Sequence, residues 1–500
     1  MSSGRVLNVR WRCVVRRSKF VARRFPLGEI RADAVGSENP AGGSYLYARF
    51  RFEPPRPPAA RIPLALLDKL VVHGGPVLHG PIAVSGSKNT ALPLMTAAIL
   101  APGITTISNI PELRDVHTFS NVLRVSGAYV DYDAEAHEIT IDATRIGHPE
   151  APYELVKQMR ASFYMLGALV GRRGKARVSM PGGCAWGPRP VDLHLKGLEA
   201  LGATIELDEG YVVASTPRGG LPGGTFRLEP SSVGATVNIL LAAATAKGGS
   251  RIENAAMEPD VIVFGQMLQA MGAQIHGLGT TTIEVEGVRH LQPVEFANTP
   301  DRIELGTFMA LAAMTGAPGV PFEITNTAPE HLGEAFIEAF KATGAGYEVR
   351  GSSVIVTPPE TIRPVSIETG VYPGFPTDLQ QQWTVLMTQA DGPSTVTDHI
   401  YLDRFAHVPE LNRMGVRAVV KGNVCHIDGG QKDSIQGAQV MSTDLRGSVA
   451  LVMAGLVATG DTHVLRVYHL DRGYEALEDR LKACGAAITR DVYQENAVEV

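Results

Sequence analysis

Leu123-Arg124-Val125-Ser126-Gly127-Ala128 and Leu198-Glu199-Ala200-Leu201-Gly202-Ala203 share one shape, and four later segments repeat it. These are Leu268-Gln269-Ala270-Met271-Gly272-Ala273, Phe340-Lys341-Ala342-Thr343-Gly344-Ala345, Leu411-Asn412-Arg413-Met414-Gly415-Val416 and Leu481-Lys482-Ala483-Cys484-Gly485-Ala486. In each, a helix-forming run stops at a glycine and gives way to β-formers. A glycine there ends the helix in the left-handed conformation, which a Cβ disfavours. Successive glycines lie 75, 70, 72, 71 and 70 residues apart. One match would carry nothing. Six at near-constant spacing define a repeat that fills residues 67–500.

Each repeat holds a second helix with almost no charge: Ala91–Leu100, Phe163–Val170, Val237–Ala246, Thr307–Met314, Thr384–Gln389 and Val449–Ala458. A helix apolar on every face must be buried all round. Strands such as Thr282–Glu286 alternate apolar with polar, as half-exposed strands do. The expected class is therefore α/β with helices inside and sheets facing solvent, the reverse of a doubly wound fold. Six such units exceed one core, so two domains of three units each are expected.

The 500 residues carry 46 basic and 51 acidic side chains, a net charge of −5. Residues 1–66 hold thirteen basic residues against four acidic ones, or +9, which leaves −14 for the rest. A polyanion-binding core would need a basic surface instead. The basic segment is broken by Pro26, Pro40 and Glu53-Pro54-Pro55-Arg56-Pro57-Pro58 and lacks an apolar period. It reads as disordered, as a transit-like or nucleic-acid-binding tail, or as a mis-called extension. Cys13, Cys184, Cys425 and Cys484 form no CxxC pair, which argues against a disulfide framework and a structural zinc. No run of about 18 apolar residues suggests a membrane span.

Several segments have the composition of a site. Ser85-Gly86-Ser87-Lys88-Asn89-Thr90 lies between a strand and a helix; it is an anion-binding helix start with a cation, or a plain turn. It lacks the spacing of a Walker A loop. Pro181-Gly182-Gly183-Cys184-Ala185-Trp186-Gly187-Pro188-Arg189-Pro190 is a loop, where a nearby cation would lower the thiol pKa; the alternative is a small buried hydrophobe. Phe375-Pro376-Thr377-Asp378-Leu379 opens an apolar helix, so Asp378 is a cap or a general base. Arg160, Arg404, Arg446 and Arg472 sit in polar turns, as surface ion pairs or, if they converge, as a carboxylate and phosphate site.

Taken together, these segments resemble the enolpyruvyl transferases, and within them the branch acting on UDP-N-acetylglucosamine. The resemblance covers about residues 67–500. It rests also on Met159-Arg160-Ala161-Ser162, Arg189-Pro190-Val191-Asp192-Leu193-His194, Ser232-Val233-Gly234-Ala235-Thr236, Asp403-Arg404-Phe405, Thr443-Asp444-Leu445-Arg446 and Asp471-Arg472-Gly473-Tyr474-Glu475. It implies two inverted α/β barrel domains of three βαβαββ repeats each, residues 88–295 forming one and 67–87 plus 296–500 the other. The implied reaction moves the enolpyruvyl group of phosphoenolpyruvate to the 3′-hydroxyl of UDP-N-acetylglucosamine and releases phosphate, the first committed step of peptidoglycan synthesis, in the cytoplasm.

By the same resemblance Cys184 is the general acid and the fosfomycin-sensitive thiol, on a lid loop spanning 177–191. Asp378 is the base. Lys88, Arg189 and Arg472 hold the phosphate of phosphoenolpyruvate, Arg404 and Arg446 lie at its carboxylate, and Asn89 contacts substrate. Nucleotide-sugar contacts fall on Arg160, Arg189, Pro190, Val191, Asp192, Leu193, Ser231, Ser232, Val233, Asp378 and Ile400. No metal, organic cofactor, nucleic acid or membrane is implied.

The chain departs from the family pattern in three places. Pro230 precedes Ser231-Ser232 where the family usually has a Lys, Trp186 stands where a smaller residue is commoner, and residues 1–66 have no counterpart. Leu67-Asp68-Lys69 resembles the family's usual Met-Asp-Lys start. Competing readings are the shikimate-pathway enolpyruvyl transferase, a non-catalytic nucleotide-sugar-binding paralogue and a processivity clamp. Cys184 argues against the first, the filled catalytic positions against the second and the acidic core against the third.

Overall fold

The structure, a computed structural model of the chain, describes residues 30–38, 44–52, 66–148, 150–156, 159–180 and 191–494. The chain divides into two units, the larger being Leu66–Gln494. In the smaller, Ile30–Glu38 pairs antiparallel with Ser44–Phe52. The expectation for residues 1–66 held no such pair; aromatic β-formers in Tyr45-Leu46-Tyr47 and Phe50-Arg51-Phe52 favour it.

Among the described residues, the larger unit contains six four-stranded sheets built on one plan. In the first, Ile104–Ser108 runs antiparallel to Glu138–Asp142, which runs antiparallel to Tyr129–Asp133. The fourth strand, Glu295–Ala297, joins in parallel from far along the chain. Glu150–Ala151 and Thr225–Arg227 add to the second and third sheets in the same way. Each repeat thus donates a strand to the next, and the third donates back to the first. The other three sheets follow the plan with Ile82–Ala83, Ile367–Glu368 and Gln439–Met441 as the parallel additions. Leu66–His73 lies inside the last sheet, between Asp461–Leu465 and Ala487–Gln494.

Two hydrophobic cores result. One runs from Ala91 to Leu291; the other joins Leu70, Val72, Leu78, Ile82 and Val84 to residues from Ile303 to Ile488. Inside them lie the apolar helices Lys88–Ala97, Met165–Arg173, Val233–Ala243, Arg302–Thr315, Gln380–Thr388 and Leu445–Val457. All six repeat glycines have positive φ, from 87° at Gly415 to 105° at Gly127. The inner helices begin earlier than the apolar pattern indicated, by three to five residues at Lys88, Val233, Arg302 and Leu445. Short 3-10 turns, Arg160–Tyr164 and Thr377–Leu379, lead into the other two. The extra turns contain Gly, charged or hydroxyl residues, such as Lys88-Asn89-Thr90, Arg302 and Glu304, Gly234 and Thr236, and Arg446-Gly447-Ser448, so a search for unbroken apolar runs passes over them.

Asn238 ties three helices together inside the first core, where it is fully buried. Its side-chain oxygen accepts from the Gly167 N–H at 2.6 Å, and its amide donates to the Phe163 carbonyl at 3.1 Å and lies 2.9 Å from His194 Nδ1. Asn238→Leu would strand a buried N–H and a buried carbonyl, so urea unfolding should show a loss of about 2–4 kcal/mol. A loss well under about 1 kcal/mol would mean that the helix packing does not depend on this amide.

Candidate functional site

The polar starts of the inner helices meet in one cleft between the two cores. At the first, Ser87 caps the helix by accepting from Thr90 N, and Lys88 follows. Lys88 Nζ lies 2.8 Å from Asp115 Oδ2. Arg472, from the other core's half, donates to the same carboxylate, Nε to Oδ1 at 2.8 Å and Nη2 to Oδ2 at 3.3 Å. Burial pushes the Asp115 pKa up, but the Lys88 and Arg472 charges outweigh it and hold the group below its usual 3.8.

A second carboxylate holds two more arginines. Asp378 Oδ1 lies 2.6 Å from Arg404 Nη1, and its Oδ2 lies 3.3 Å from Arg446 Nη2. Burial again pushes up, and the two guanidiniums, helped by Arg302, hold Asp378 well below the carboxylate range. Both arginines are nearly inaccessible, at 7% for Arg404 and 3% for Arg446. Asp444 caps the helix that carries Arg446 by accepting from Arg446 N and Gly447 N. Tyr474 lies beneath the Arg446 guanidinium, 5.5 Å from ring centroid to Cζ. Asp398 fixes the surrounding loop: it accepts from Thr369 and Thr377 hydroxyls at 2.8 and 2.7 Å and from the Ile400 and Tyr401 N–H groups at 2.9 Å.

Asp260 links the two clusters. It accepts from Ser87 Oγ at 3.1 Å and Thr90 Oγ1 at 2.8 Å, and pairs with Arg302 Nε at 3.3 Å. A further wall carries Arg160, His194, Tyr164 and the Ser232–Gly234 turn. Burial, then the Arg160 charge, pushes His194 down to about 3, so the imidazole is neutral near pH 7. A Cβ at Gly234 would lie 3.2 Å from His194 Nε2. Tyr164 is pushed up to about 12 by burial, with Asp260 and Tyr401 adding to the shift and Arg160 opposing it. Ser231, Ser232 and Val233 are half-buried, and Ser232 caps its helix through Ala235 N. The chemistry on offer is the binding of a compact dianion by four cations, beside carboxylates kept ionised.

Of the residues singled out from sequence, Lys88, Arg472, Arg404, Arg446 and Asp378 stand in these contacts. Asn89 is exposed beside Lys88, and Ile400 is 37% exposed on the Asp398 loop. Val191 is buried, while Asp192 and Leu193 open the helix Asp192–Ala200, with Lys196 Nζ 3.2 Å from Asp192. Cys184, Arg189, Pro190 and most of the expected lid lie outside the described residues. Sequence reasoning missed Asp115, Asp260, Arg302 and Asp398. Asp115 reads as an ordinary first-turn acid of the amphipathic helix Arg114–Ser126, and Asp260 likewise on Pro259–Ala270. Among the described residues, no three His, Cys, Asp or Glu side chains are grouped to hold a metal, and no helix is long and apolar enough to cross a membrane.

Comparison with known proteins gives three findings. The family described as EPSP synthase (3-phosphoshikimate 1-carboxyvinyltransferase) matches residues 72–481. A UDP-N-acetylglucosamine 1-carboxyvinyltransferase from Chloroherpeton thalassium is 51% identical over 432 residues, covering 86% of this chain and 99% of that protein. Its namesake from Chlorobaculum parvum is 49% identical over 430 residues, covering 86% and 100%. Among solved structures, the enolpyruvyl transferase NikO from Streptomyces tendae superposes with a TM-score of 0.78 at 27% identity, covering 85% of this chain and 99% of that one. EPSP synthase from Acinetobacter baumannii has a TM-score of 0.66 at 18% identity, over 85% of this chain and 100% of that one, a likeness of fold.

Asp115 gives a test that needs no substrate. Its pKa is lower folded than unfolded, so its contribution to stability is present above about pH 4 and fades as pH falls through the folded value. Asp115→Asn leaves Lys88 and Arg472 facing each other and should cost about 3 kcal/mol at neutral pH. The loss should shrink on acidification, because the parent surrenders the same interaction. A pH-independent difference in urea unfolding would show that the ion pairs do not stabilise the fold.

Proposed function

The chain belongs to the EPSP synthase family of enolpyruvyl transferases, and from that premise we propose that this cleft transfers the enolpyruvyl group of phosphoenolpyruvate to the 3′-hydroxyl of UDP-N-acetylglucosamine. The setting would be peptidoglycan synthesis in the cytoplasm. The observation that carries the reading is the sorting of four cations into two pairs, Lys88 with Arg472 and Arg404 with Arg446, each now held by one carboxylate. Phosphoenolpyruvate has two anionic ends, a phosphate and a carboxylate, and the pairs suit one end each. The acceptor is chosen from the relatives at 47–51% identity, which carry that name.

In this proposal the phosphate rests on Lys88 and Arg472, joined by Arg189, and the carboxylate on Arg404 and Arg446. Asn89 lies beside the phosphate. The nucleotide sugar lies along Arg160, Arg189, Pro190, Val191, Asp192, Leu193, Ser231, Ser232, Val233 and Ile400. The Cys184 thiol gives its proton to the methylene carbon, which leaves cationic character on the adjacent carbon. The sugar hydroxyl attacks that carbon while Asp378 takes the hydroxyl proton. Return of a methyl proton to the Cys184 thiolate and cleavage of the C–O bond to phosphate, which leaves with the proton held by Asp378, then give the enol ether and free phosphate. Fixed cations stabilise the anionic groups throughout, without reorganisation at the moment of reaction.

Asp378 bound to two arginines is a weak base. An incoming carboxylate at Arg404 and Arg446 competes for the same N–H groups and so raises the basicity of Asp378 when substrate is present. Base strength and substrate occupancy are linked in this way. A two-domain division is proposed with the site: the chain passes from one core to the other between Val84 and Ala91 and again between Leu291 and Ile303. Because Glu295–Ala297 pairs with Ile104–Ser108, the second boundary is better placed after Ala297 than at 295/296.

Two measurements check the proposal. Lys88→Ala should cut phosphate release from a mixture of the two substrates by at least about 100- to 1,000-fold, the size expected for losing one preorganised charge contact. A variant within about tenfold of the parent would remove Lys88 from the reaction. Treatment with fosfomycin followed by peptide mass mapping should place the adduct on Cys184. Cys425 and Cys484 are buried, and burial pushes both thiols up, Cys425 to about 12, so neither is a competent nucleophile near neutral pH. An adduct on either would refute the assignment of the reactive thiol.

A further inference from the structure

At the far end of the first core, away from the cleft, the structure has a recess of about 370 Å³. It lies where three inner helices finish. Leu100 and Pro102 follow the first helix, Arg172 and Arg173 end the second, and Thr245 follows the third. Arg289, His290 and Leu291 come from the connection after strand Thr282–Glu286, and Thr216, Gly219 and Gly220 from the connection after strand Tyr211–Ser215. Among the described residues, no Asp or Glu lines it.

Its charge is one-sided. Arg172, Arg173 and Arg289 all line the recess. The Lys247 ammonium rests against its rim, where a Cβ on Gly219 would lie 2.2 Å from Nζ. Among the described residues none of these four cations has a carboxylate within ion-pair distance. Other surface arginines do: Arg177 with Glu150 at 3.1 Å, Arg350 with Glu348 at 2.7 Å and Arg417 with Asp428 at 3.3 Å. Burial lowers the Arg172 pKa, and the neighbouring Arg173 charge adds to the shift.

Helix C-termini account for part of this. Their carbonyls carry partial negative charge and attract cations, and Arg172 Nη1 does donate to the Leu100 carbonyl at 3.4 Å. That explanation does not reach Arg289, which belongs to no helix, or Lys247, whose ammonium is turned toward Gly219. Several cations around a concave, carboxylate-free surface are what a compact polyanion needs. The volume is near the lower end for small-molecule sites, about 300–1,000 Å³.

We propose that this recess, lined by Arg172, Arg173 and Arg289 with Lys247 at its rim, binds a small multiply charged phosphate compound at a site separate from the proposed catalytic cleft. Gly220 faces open space, where a Cβ would meet nothing within 4 Å, so a phosphate group can approach the backbone there beside the guanidinium forks. A monoanion gains too little from spread-out cations, whereas adjacent phosphates engage several at once.

Hydrogen–deuterium exchange of the full chain with and without millimolar pyrophosphate tests the site by location, whatever occupies the cleft. Peptides covering 165–174, 214–221 and 286–292 should exchange more slowly with pyrophosphate present. In the R173A/R289A double variant that protection should need at least about tenfold more pyrophosphate, the loss expected for removing charge-assisted contacts. Phosphate release by the variant should match the parent, which shows that it is folded. Arg289→Glu, a single change on an exposed connection, should abolish the protection as well. Protection confined to the cleft segments 86–90, 444–447 and 470–473 would overturn the proposal. So would equal protection by potassium chloride at matched ionic strength, or protection that persists in both variants.

Discussion

A helix that is apolar all round can meet water only at its ends, and this constraint organises the molecule. Six such helices are buried in two cores, and their first turns open on one cleft. Each first turn has N–H groups without helical partners and a partial positive charge of roughly half an electron. The sequence answers with polar residues at those starts: Ser87, Ser232, Asp301 and Asp444 cap four of the helices through their side chains. Lys88, Arg302 and Arg446 stand within two positions of three of those caps. The candidate binding residues and the helix caps therefore belong to the same stretches of chain, repeated around the candidate site.

Placing cations at positive helix ends works against itself unless carboxylates intervene. Asp115 and Asp378 supply them, each holding two cations that come from different elements. Asp115 belongs to the first half of the larger unit and Arg472 to the second, so the contact also joins the halves. Such pairs add little net stability because desolvation offsets attraction, but removing one partner strands a buried charge. What they do secure is position. Arg404 and Arg446 are held in place by Asp378 before any ligand arrives, so on the proposed reading less ordering is left to the binding step.

How much of this could be read beforehand follows from the physics of each signal. The repeat was readable because a left-handed glycine has few substitutes, and all six glycines have the expected φ. The burial of the inner helices was readable because nothing else suits a run such as Ile239-Leu240-Leu241-Ala242-Ala243-Ala244. Their starts were not, because Lys88, Val233 and Leu445 open turns that look like loop when only apolar spacing is scored. Lys88, Asp378 and the arginines stood out from the composition of their turns, each with a plain structural alternative, and took specific roles only through a motif set that resembled a family. Asp115 and Asp260 belong to no such motif. Each sits in the first turn of an outer helix, where an acid is the commonest residue for reasons of capping alone, and only the three-dimensional contact gives it a further role.

The two chain crossings between the halves carry the same economy further. Residues 84–88 and 297–302 pass side by side. Ser87 N donates to the Thr299 carbonyl and Asp301 N to the Ser85 carbonyl. Asn298 Nδ2 donates to the carbonyls of Ser87 and Asn109, and Asn109 Nδ2 donates back to the Asn298 carbonyl. Gly86 allows the approach, since a Cβ there would fall 1.8 Å from the Asn109 oxygen. Lys88 and Arg302 are the first residues of the helices that leave these crossings, and Asp260 binds Arg302 together with Ser87 and Thr90 beside Lys88. A rotation of one half against the other therefore pivots next to the cations on the crossing side, leaving Lys88 and Arg302 nearly in place. Arg472 comes from the other half and reaches the Asp115 carboxylate that also holds Lys88, so this contact spans the junction. Such a rotation would therefore change the separation of Lys88 and Arg472 across Asp115 while leaving Arg404 and Arg446 together on Asp378, so the first pair is the one whose geometry depends on how the halves sit.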